Sequence, residues 1–369
     1  MKFVHIIDDE KFSGMAIKSF DAAFPGFNKY VSFSKTKRKI EKEKLTIYPR
    51  YFVFFKPLVR HILDADVVIF HSMNEKNLLL LRSVSNTTRV IWIGWGFDYY
   101  DLINVNLLKP KTLQIFNDNK SKNKKNVKGW IINTILGFIK KNKRKIIDRV
   151  NVFSPVLYED FVLIKKFNPD FNAKYVSWNY GTLEDDHIIG FEDKIVNGDN
   201  ILIGNSATYE SNHADIFNEI NNYHIKGRKI IVPLSYGDED YKNEVLSIGS
   251  SIFNEDFMPL IDYLSMDDYI KKLQSCSIVI MNHIRQQALG NIVIALYLGA
   301  KVFLDSDNPI YAFFSKHGAY VYPLEQLKNE VDVKLTVEQM EKNREVLRFY
   351  WGRSAIYKKT KNIIQEALD

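Results

Sequence analysis

Short runs of β-branched residues that end in glycine or polar side chains alternate with helical patterns along this chain, and they do so in two series. Phe3 to Ile7, Tyr30 to Phe33, Val67 to Phe70, Val90 to Ile93, Val150 to Phe153 and Lys174 to Ser177 form the first. Ile201 to Ile203, Lys229 to Val232, Ile278 to Met281 and Lys301 to Leu304 form the second. Unbroken apolar runs are what strands buried on both faces require, and parallel strands need helical crossovers to cover those faces. The pattern therefore predicts an α/β protein with two Rossmann-like domains. A length of 369 residues suits two cores better than one. The seam falls in the polar stretch Gly181 to Asn200, which sets expected domains at 1–185 and 195–345. Residues 346–369 are expected to form a C-terminal helix crossing back to the first domain, since Val346, Leu347, Tyr350, Ile356, Ile363 and Ile364 recur at helical spacing.

Several classes are excluded or disfavoured. One cysteine, Cys276, rules out an internal disulfide and a cysteine-cluster metal site, and fits a reducing compartment. The first residues turn acidic at Asp8-Asp9 and read as a buried strand, not a signal peptide. No apolar run has the roughly 18 to 20 residues of a membrane span. Net charge is +7, yet Lys109 to Arg149 holds 13 Lys or Arg against two Asp, so the remainder is acidic. Such asymmetry marks a surface for an anionic partner. Trp130, Lys140, Lys141, Arg144 and Lys145 belong to an expected amphipathic helix from Gly129 onward, whose apolar side carries Ile131, Ile135, Phe138 and Ile139. That helix is expected to lie in an anionic membrane interface. No nucleic-acid recognition module is legible, so no nucleic-acid partner is expected.

Chemistry is expected where strands hand over to loops. Ile203-Gly204-Asn205-Ser206 is a buried strand running into a turn and then a helix, a place where phosphates bind on free N–H groups. The segment from Asn282 to Asn291 offers Arg285 as a forked cation, the amides Gln286 and Gln287, and Gly290 and Asn291 at a helix start, all suited to a pyrophosphate. Pro233 and Tyr236 could line the same crevice. Asp305-Ser306-Asp307 has the spacing of a cation-holding pair, but Asn308-Pro309 follows and opens a helix, so capping accounts for it and no metal is expected. In the first half, Asp98 leaves its strand through Gly94 and Gly96 and is the expected proton acceptor, with Asp101 delivered to the same edge; His71, Asp8, Asp9 and Glu10 are rivals.

At Phe70-His71, Trp95-Gly96-Phe97-Asp98 with Tyr100, Ile203-Gly204-Asn205-Ser206, Val232-Pro233 with Tyr236, Arg285-Gln286-Gln287 with Gly290, and Asn308-Pro309, the chain resembles glycosyltransferase family 56. These are the TDP-N-acetylfucosamine:lipid II N-acetylfucosaminyltransferases of enterobacterial common antigen synthesis. The resemblance implies a GT-B fold of two Rossmann-like domains facing a cleft, with the donor held chiefly by the second, at Gly204 to Ser206, Pro233, Tyr236, Arg285 to Gln287, Gly290, Asn291, Asp307 and Asn308. It also implies no cofactor or metal and peripheral attachment to the cytoplasmic face of the bacterial inner membrane. The expected activity is transfer of a deoxyamino or related hexose from a dTDP- or UDP-sugar to a lipid-linked glycan. Alternatives are a soluble nucleotide-sugar enzyme acting on a free acceptor and a non-catalytic scaffold. The chain departs from the family at Ser72, where glycine is expected, at Ala288 and Leu289, and at Asp307, where glutamate is expected; Asn117 to Lys128 has no family counterpart.

Overall fold

A computed structural model describes residues 1–8, 12–34, 44–122, 141–223, 225 and 227–369. They fall into two compact units, one drawn from Met1–Asn104, Val127–Asp186 and Tyr350–Asp369, the other from Val105–Asn126 and His187–Phe349.

The first unit runs β1 (Phe3–Ile6), α1 (Ser13–Ala23), β2 (Asn28–Phe33), β3 (Leu45–Tyr48), a 3-10 turn (Arg50–Phe54), α2 (Lys56–Ile62), β4 (Val67–His71), α3 (Glu75–Leu81) and β5 (Arg89–Ile93). After α4 (Pro110–Lys122), which groups with the second unit, come α5 (Lys143–Ile147), β6 (Val152–Ser154), α6 (Tyr158–Phe167) and β7 (Lys174–Tyr175). The sheet order is β3-β2-β1-β4-β5-β6-β7, every pair parallel. Val67 to Phe70 are wholly buried, as a central parallel strand demands. The last helix, α14 (Arg353–Leu368), belongs to this unit and sets Ile363, Ile364 and Ala367 on the core formed by Phe20, Ile69 and Ile91.

The second unit runs β8 (Asn200–Ile203), α7 (His213–Ile220), β9 (Ile230–Pro233), α8 (Glu239–Phe253), β10 (Phe257–Leu260), α9 (Met266–Gln274), β11 (Cys276–Met281), α10 (Leu289–Leu298), β12 (Lys301–Leu304), α11 (Pro309–Lys316), β13 (Val321–Pro323), a short α12 (Leu327–Glu330) and α13 (Val337–Trp351). Its sheet is also parallel, in the order β10-β9-β8-β11-β12-β13. Asp238, Ser265 and Asn308 cap α8, α9 and α11 by accepting backbone N–H groups of the first turn. Residues 105–126, expected within the first domain, group with the second unit for a visible reason. Asp215 accepts the Lys111 and Thr112 amides at the start of α4, Asn212 accepts that of Lys109, and Lys109 pairs with Asp305 at 2.6 Å.

Among the described residues no helix is long and apolar enough to cross a membrane. Of the expected membrane helix, Trp130 and Lys140 lie outside the described residues; Lys141, Arg144 and Lys145 are exposed.

Candidate functional site

In each sheet the strand order reverses beside the first strand: β2 lies on one side of β1 and β4 on the other, and β9 and β11 flank β8 in the same way. Loops leaving the carboxyl ends of the two strands at such a reversal must diverge, which opens a crevice for ligands. The expected segments Gly204–Ser206 and Arg285–Asn291 of the second unit leave β8 and β11 at that point.

Gly204 turns the chain after β8 with φ +70°, and a Cβ there would stand 2.5 Å from Nε2 of His213. Its amide donates to Ile280 O on β11 at 2.9 Å. Asn205 then faces both neighbours. Its Nδ2 donates to the Tyr236 hydroxyl at 3.0 Å, and its Oδ1 accepts Gln287 Nε2 at 3.0 Å. Gln287 also donates to Thr208 Oγ1 at 3.2 Å, so the β8 turn and the loop after β11 are held together side chain to side chain. The Pro233-to-Gly237 segment joins them because Ala207 N donates to Tyr236 O and Asp238 N to Ala207 O, both at 2.8 Å. Asn205, Tyr236 and Gln287 are thus brought together at the turn that Gly204 opens.

Arg285 is mostly buried, pairs with Glu210 at 2.9 Å and donates to Gln286 O at 3.0 Å, while its Nε is buried with no hydrogen-bond partner. His283, 3.3 Å from Ser211 Oγ, is wholly buried. Because Ser211 gives its proton to Ser206 O, His283 donates through Nε2, leaving Nδ1 as an unengaged acceptor. Asn282 Oδ1 and Gln287 Oε1 are unengaged as well. Buried polar atoms without partners cost about 1–3 kcal/mol each, so four of them within Asn282–Gln287, the loop that leads into α10 where Gly290 and Asn291 sit, point to a polar ligand site. Two expected binders are scaffold instead. Asn308 spends its side chain on His283 O, Arg285 O and Ile310 N, which pins the Arg285 loop and caps α11. Ser206 is wholly buried, its hydroxyl 3.2 Å from that of Thr208. Asp307 is exposed, and its amide donates to Asp305 Oδ1 at 2.9 Å.

In the first unit the proton-acceptor role expected for Asp98 does not fit its surroundings. Asp98 is 3% exposed, and its two oxygens accept Met73 N (2.7 Å), Trp92 Nε1 (2.8 Å) and Trp95 N (2.7 Å). Burial pushes its pKa up and these donors oppose the shift. The carboxylate stitches β4, β5 and their loops together, a task its position after Gly94 and Gly96 did not disclose. Lys143 makes the seam tighter by donating to Asp98 O and pairing with Asp101, each at 2.6 Å. Asp9 and Glu10 lie outside the described residues; Asp8 pairs with Lys76.

His71 sits in a chain of hydrogen bonds whose protons can be assigned. Asn28 Nδ2 donates to Phe20 O and Phe24 O, so its Oδ1 accepts from His5 Nε2 at 3.1 Å. His5 Nδ1 must then accept from His71 Nε2 (3.1 Å), and His71 Nδ1 from the Tyr180 hydroxyl (2.7 Å). Tyr180 Oη in turn accepts Trp95 Nε1 at 2.6 Å. Burial holds His5 neutral, its pKa pushed down to about 3, and keeps His71 well below the ordinary histidine range, helped by His5. Sequence reading missed His5, Tyr180, Glu210 and His213; of these only His213, placed one turn after a Gly-Asn-Ser loop, carries a local signal.

Two such units, each with a parallel sheet and a polar edge at its strand-order reversal, define the GT-B class, and solved structures of that fold match along the whole chain. A glycosyltransferase from Rickettsia africae ESF-5 is similar with a TM-score of 0.67 at 11% identity, covering 100% of this chain and 98% of that one. An E. coli trehalose-6-phosphate protein bound with UDP-2-fluoro glucose gives 0.65 at 12% identity, covering 100% and 99%. Anabaena HepE in complex with UDP-glucose gives 0.63 at 10% identity, covering 99% of each. Residues 159–355, more than half of the chain, match the family model of 4-alpha-L-fucosyltransferase, glycosyl transferase group 56. The chain belongs to that family and is a glycosyltransferase.

Proposed function

We propose that the protein moves a deoxyamino or related hexose from a dTDP- or UDP-sugar to a lipid-linked or surface-polysaccharide glycan, without a metal, at the cytoplasmic face of the bacterial inner membrane. The observation that carries this reading is the meeting of the Gly204–Thr208 turn and the Arg285–Gly290 loop at the strand-order reversal of the second unit, tied by Gln287 to Asn205 and Thr208. A nucleoside diphosphate is the ligand such a place suits: Arg285 and the first turn of α10 supply positive charge for the phosphates, and that charge also stabilises the departing diphosphate. HepE and the E. coli protein, which share the fold, were solved with UDP-glucose and UDP-2-fluoro glucose, and this supports a UDP or dTDP donor here. Metal independence is supported by Asp305, whose oxygens are taken by Lys109 and by the Asp307 amide. In the first unit Tyr180 donates to His71 and accepts from Trp95, which leaves it one lone pair for an acceptor hydroxyl.

The test is a transfer assay with dTDP- and UDP-linked deoxyamino sugars and polyprenyl-diphosphate glycan, with and without EDTA. Transfer unaffected by EDTA is the expected result. Activity abolished by EDTA and restored by manganese would overturn the metal-free reading, and transfer to a free glycan alone would overturn the lipid-linked one.

A further inference from the structure

Three of the most exposed aromatic side chains of the first unit fall within five residues: Tyr51 (66% exposed), Phe54 (50%) and Phe55 (61%). Apolar side chains of this size are normally buried, and a cluster in the open marks a contact surface. Arg50, Lys56 and Arg60 are exposed around them, and the sequence from Leu45 to Leu63 contains no carboxylate.

The same helical layer carries a second feature. The Arg50–Phe54 turn packs against α3, and α3 packs against α5. Where α3 ends and α5 passes, a cavity of about 480 Å³ is lined by Arg82, Lys145 and Arg149 with Asn86 and Asn142, and by no carboxylate. Arg149 donates to Ser85 O and Thr88 O, but its Nε is buried with no hydrogen-bond partner. Three cations around one hollow repel each other until an anion enters.

We propose that this layer is the surface on which the protein docks to an anionic phospholipid bilayer. Tyr51, Phe54 and Phe55 enter the zone between headgroups and acyl chains, Arg50, Lys56 and Arg60 meet the phosphates at that depth, and the Arg82–Lys145–Arg149 hollow takes a headgroup phosphate. Aromatic side chains beside lysine and arginine are the composition that an anionic interface binds. Charge argues for this occupant. The exposed apolar cluster of the second unit, Ile261, Tyr263 and Met266, is set among Asp262, Asp267 and Asp268 and would be repelled by the same lipids. The inference rests on the reading of a lipid-linked acceptor; most of the helix expected from Gly129 lies outside the described residues.

Co-sedimentation of the full-length protein with vesicles of phosphatidylcholine, alone or mixed with phosphatidylglycerol, tests it. The wild type is expected to bind the anionic vesicles and to be released by salt. The triple variant Tyr51→Ser, Phe54→Ser, Phe55→Ser should partition at least about tenfold more weakly. Arg50→Gln, Lys56→Gln, Arg60→Gln together should lose on the order of 100-fold on anionic vesicles and little on neutral ones. Tyr263→Ser should bind like the wild type. All these positions are exposed, and circular dichroism confirms the folds. If the wild type binds and both triple variants bind equally well, this surface is not the contact and the membrane reading survives elsewhere. Absence of wild-type binding to either vesicle overturns the docking proposal, while nucleotide binding still judges the donor site. A wild-type dimer in sedimentation velocity that the aromatic triple variant converts to monomer would make the layer a self-association surface and overturn the proposal.

Discussion

Replacing Gly204 by alanine should damage the second unit through one identifiable contact. The new methyl would have to occupy a position 2.5 Å from Nε2 of His213, about 1 Å inside normal contact, and the residue would keep φ at +70°. The histidine has little room to yield: it is wholly buried, with Phe217 and Tyr241 ring centroids at 5.8 and 5.9 Å. The left-handed backbone costs an L-residue about 1–2 kcal/mol, and overpacking a closed core another 1–3 kcal/mol. Gly204→Ala should therefore lower the unfolding free energy by about 2–5 kcal/mol in urea denaturation. The contact can be isolated. In a His213→Ala background the steric part disappears, so the same substitution should cost only about 1–2 kcal/mol, and the double-mutant cycle should give a coupling of about 1–3 kcal/mol. Nucleotide affinity should fall in the single variant and recover in part in the double. Equal costs in both backgrounds would refute the claim that the ring sets the turn.

Ser72 and Ala288 hold φ at 106° and 61°, so Ser72→Gly and Ala288→Gly should each stabilise the fold by about 1 kcal/mol in chemical denaturation; destabilisation would show that the side chains contribute more than the backbone strain costs. Asp98→Asn should cost about 2–4 kcal/mol, since an amide group must face N–H donors from Met73, Trp92 and Trp95; normal stability with turnover lost would restore the proton-acceptor role. Acid should unfold the protein through its buried histidines. His5 and His213 have pKa values pushed down to about 3 by burial, and His71 and His283 move the same way, so these rings take up protons near pH 6.5 only when unfolded. Their contribution is complete above about pH 6.5 and drains toward pH 3 at about 1.4 kcal/mol per pH unit for each ring. Asp160, pushed up to about 7 by burial, acts in the opposite sense between about pH 4 and 7, and Asp98 is raised in the same direction; the four histidines outnumber them, so stability should fall as the pH drops below about 6. A urea midpoint flat from pH 7 to 5 would contradict this.

The fold was legible because nine of its strands are central, apolar runs, and a tenth, the edge strand Lys174–Tyr175, runs into Val176. The three strands that escaped notice, Leu45–Tyr48, Phe257–Leu260 and Val321–Pro323, lie at sheet edges. Half-exposed edge strands do not need an unbroken apolar run, and two of these contain proline. Glycine and serine after a strand told where the second-unit turn lies, yet not that Gln287 would reach Asn205 across 82 residues. Asp98 misled because a carboxylate after two glycines looks the same in sequence whether it faces solvent or accepts three N–H groups. Ser72 and Ala288 are a different case. Both depart from the resembled family, and they are two of the four non-glycine residues, with Asn212 and Asn254, whose backbone among the described residues takes the positive φ that glycine tolerates best.

The account stands on the second unit holding the donor diphosphate, and titration calorimetry with dTDP and UDP on the wild type and on Arg285→Ala measures that directly. The guanidinium pairs with Glu210 at 2.9 Å and belongs to the loop that leads into α10, so its charge-assisted bonds to a diphosphate should contribute about 1.5–3 kcal/mol. The wild type should bind at least one of the two nucleotides, and the variant should bind it about 10- to 100-fold more weakly while melting within a few degrees of the wild type. Equal affinity in the two proteins, or no binding of either nucleotide to the wild type, would contradict the assignment.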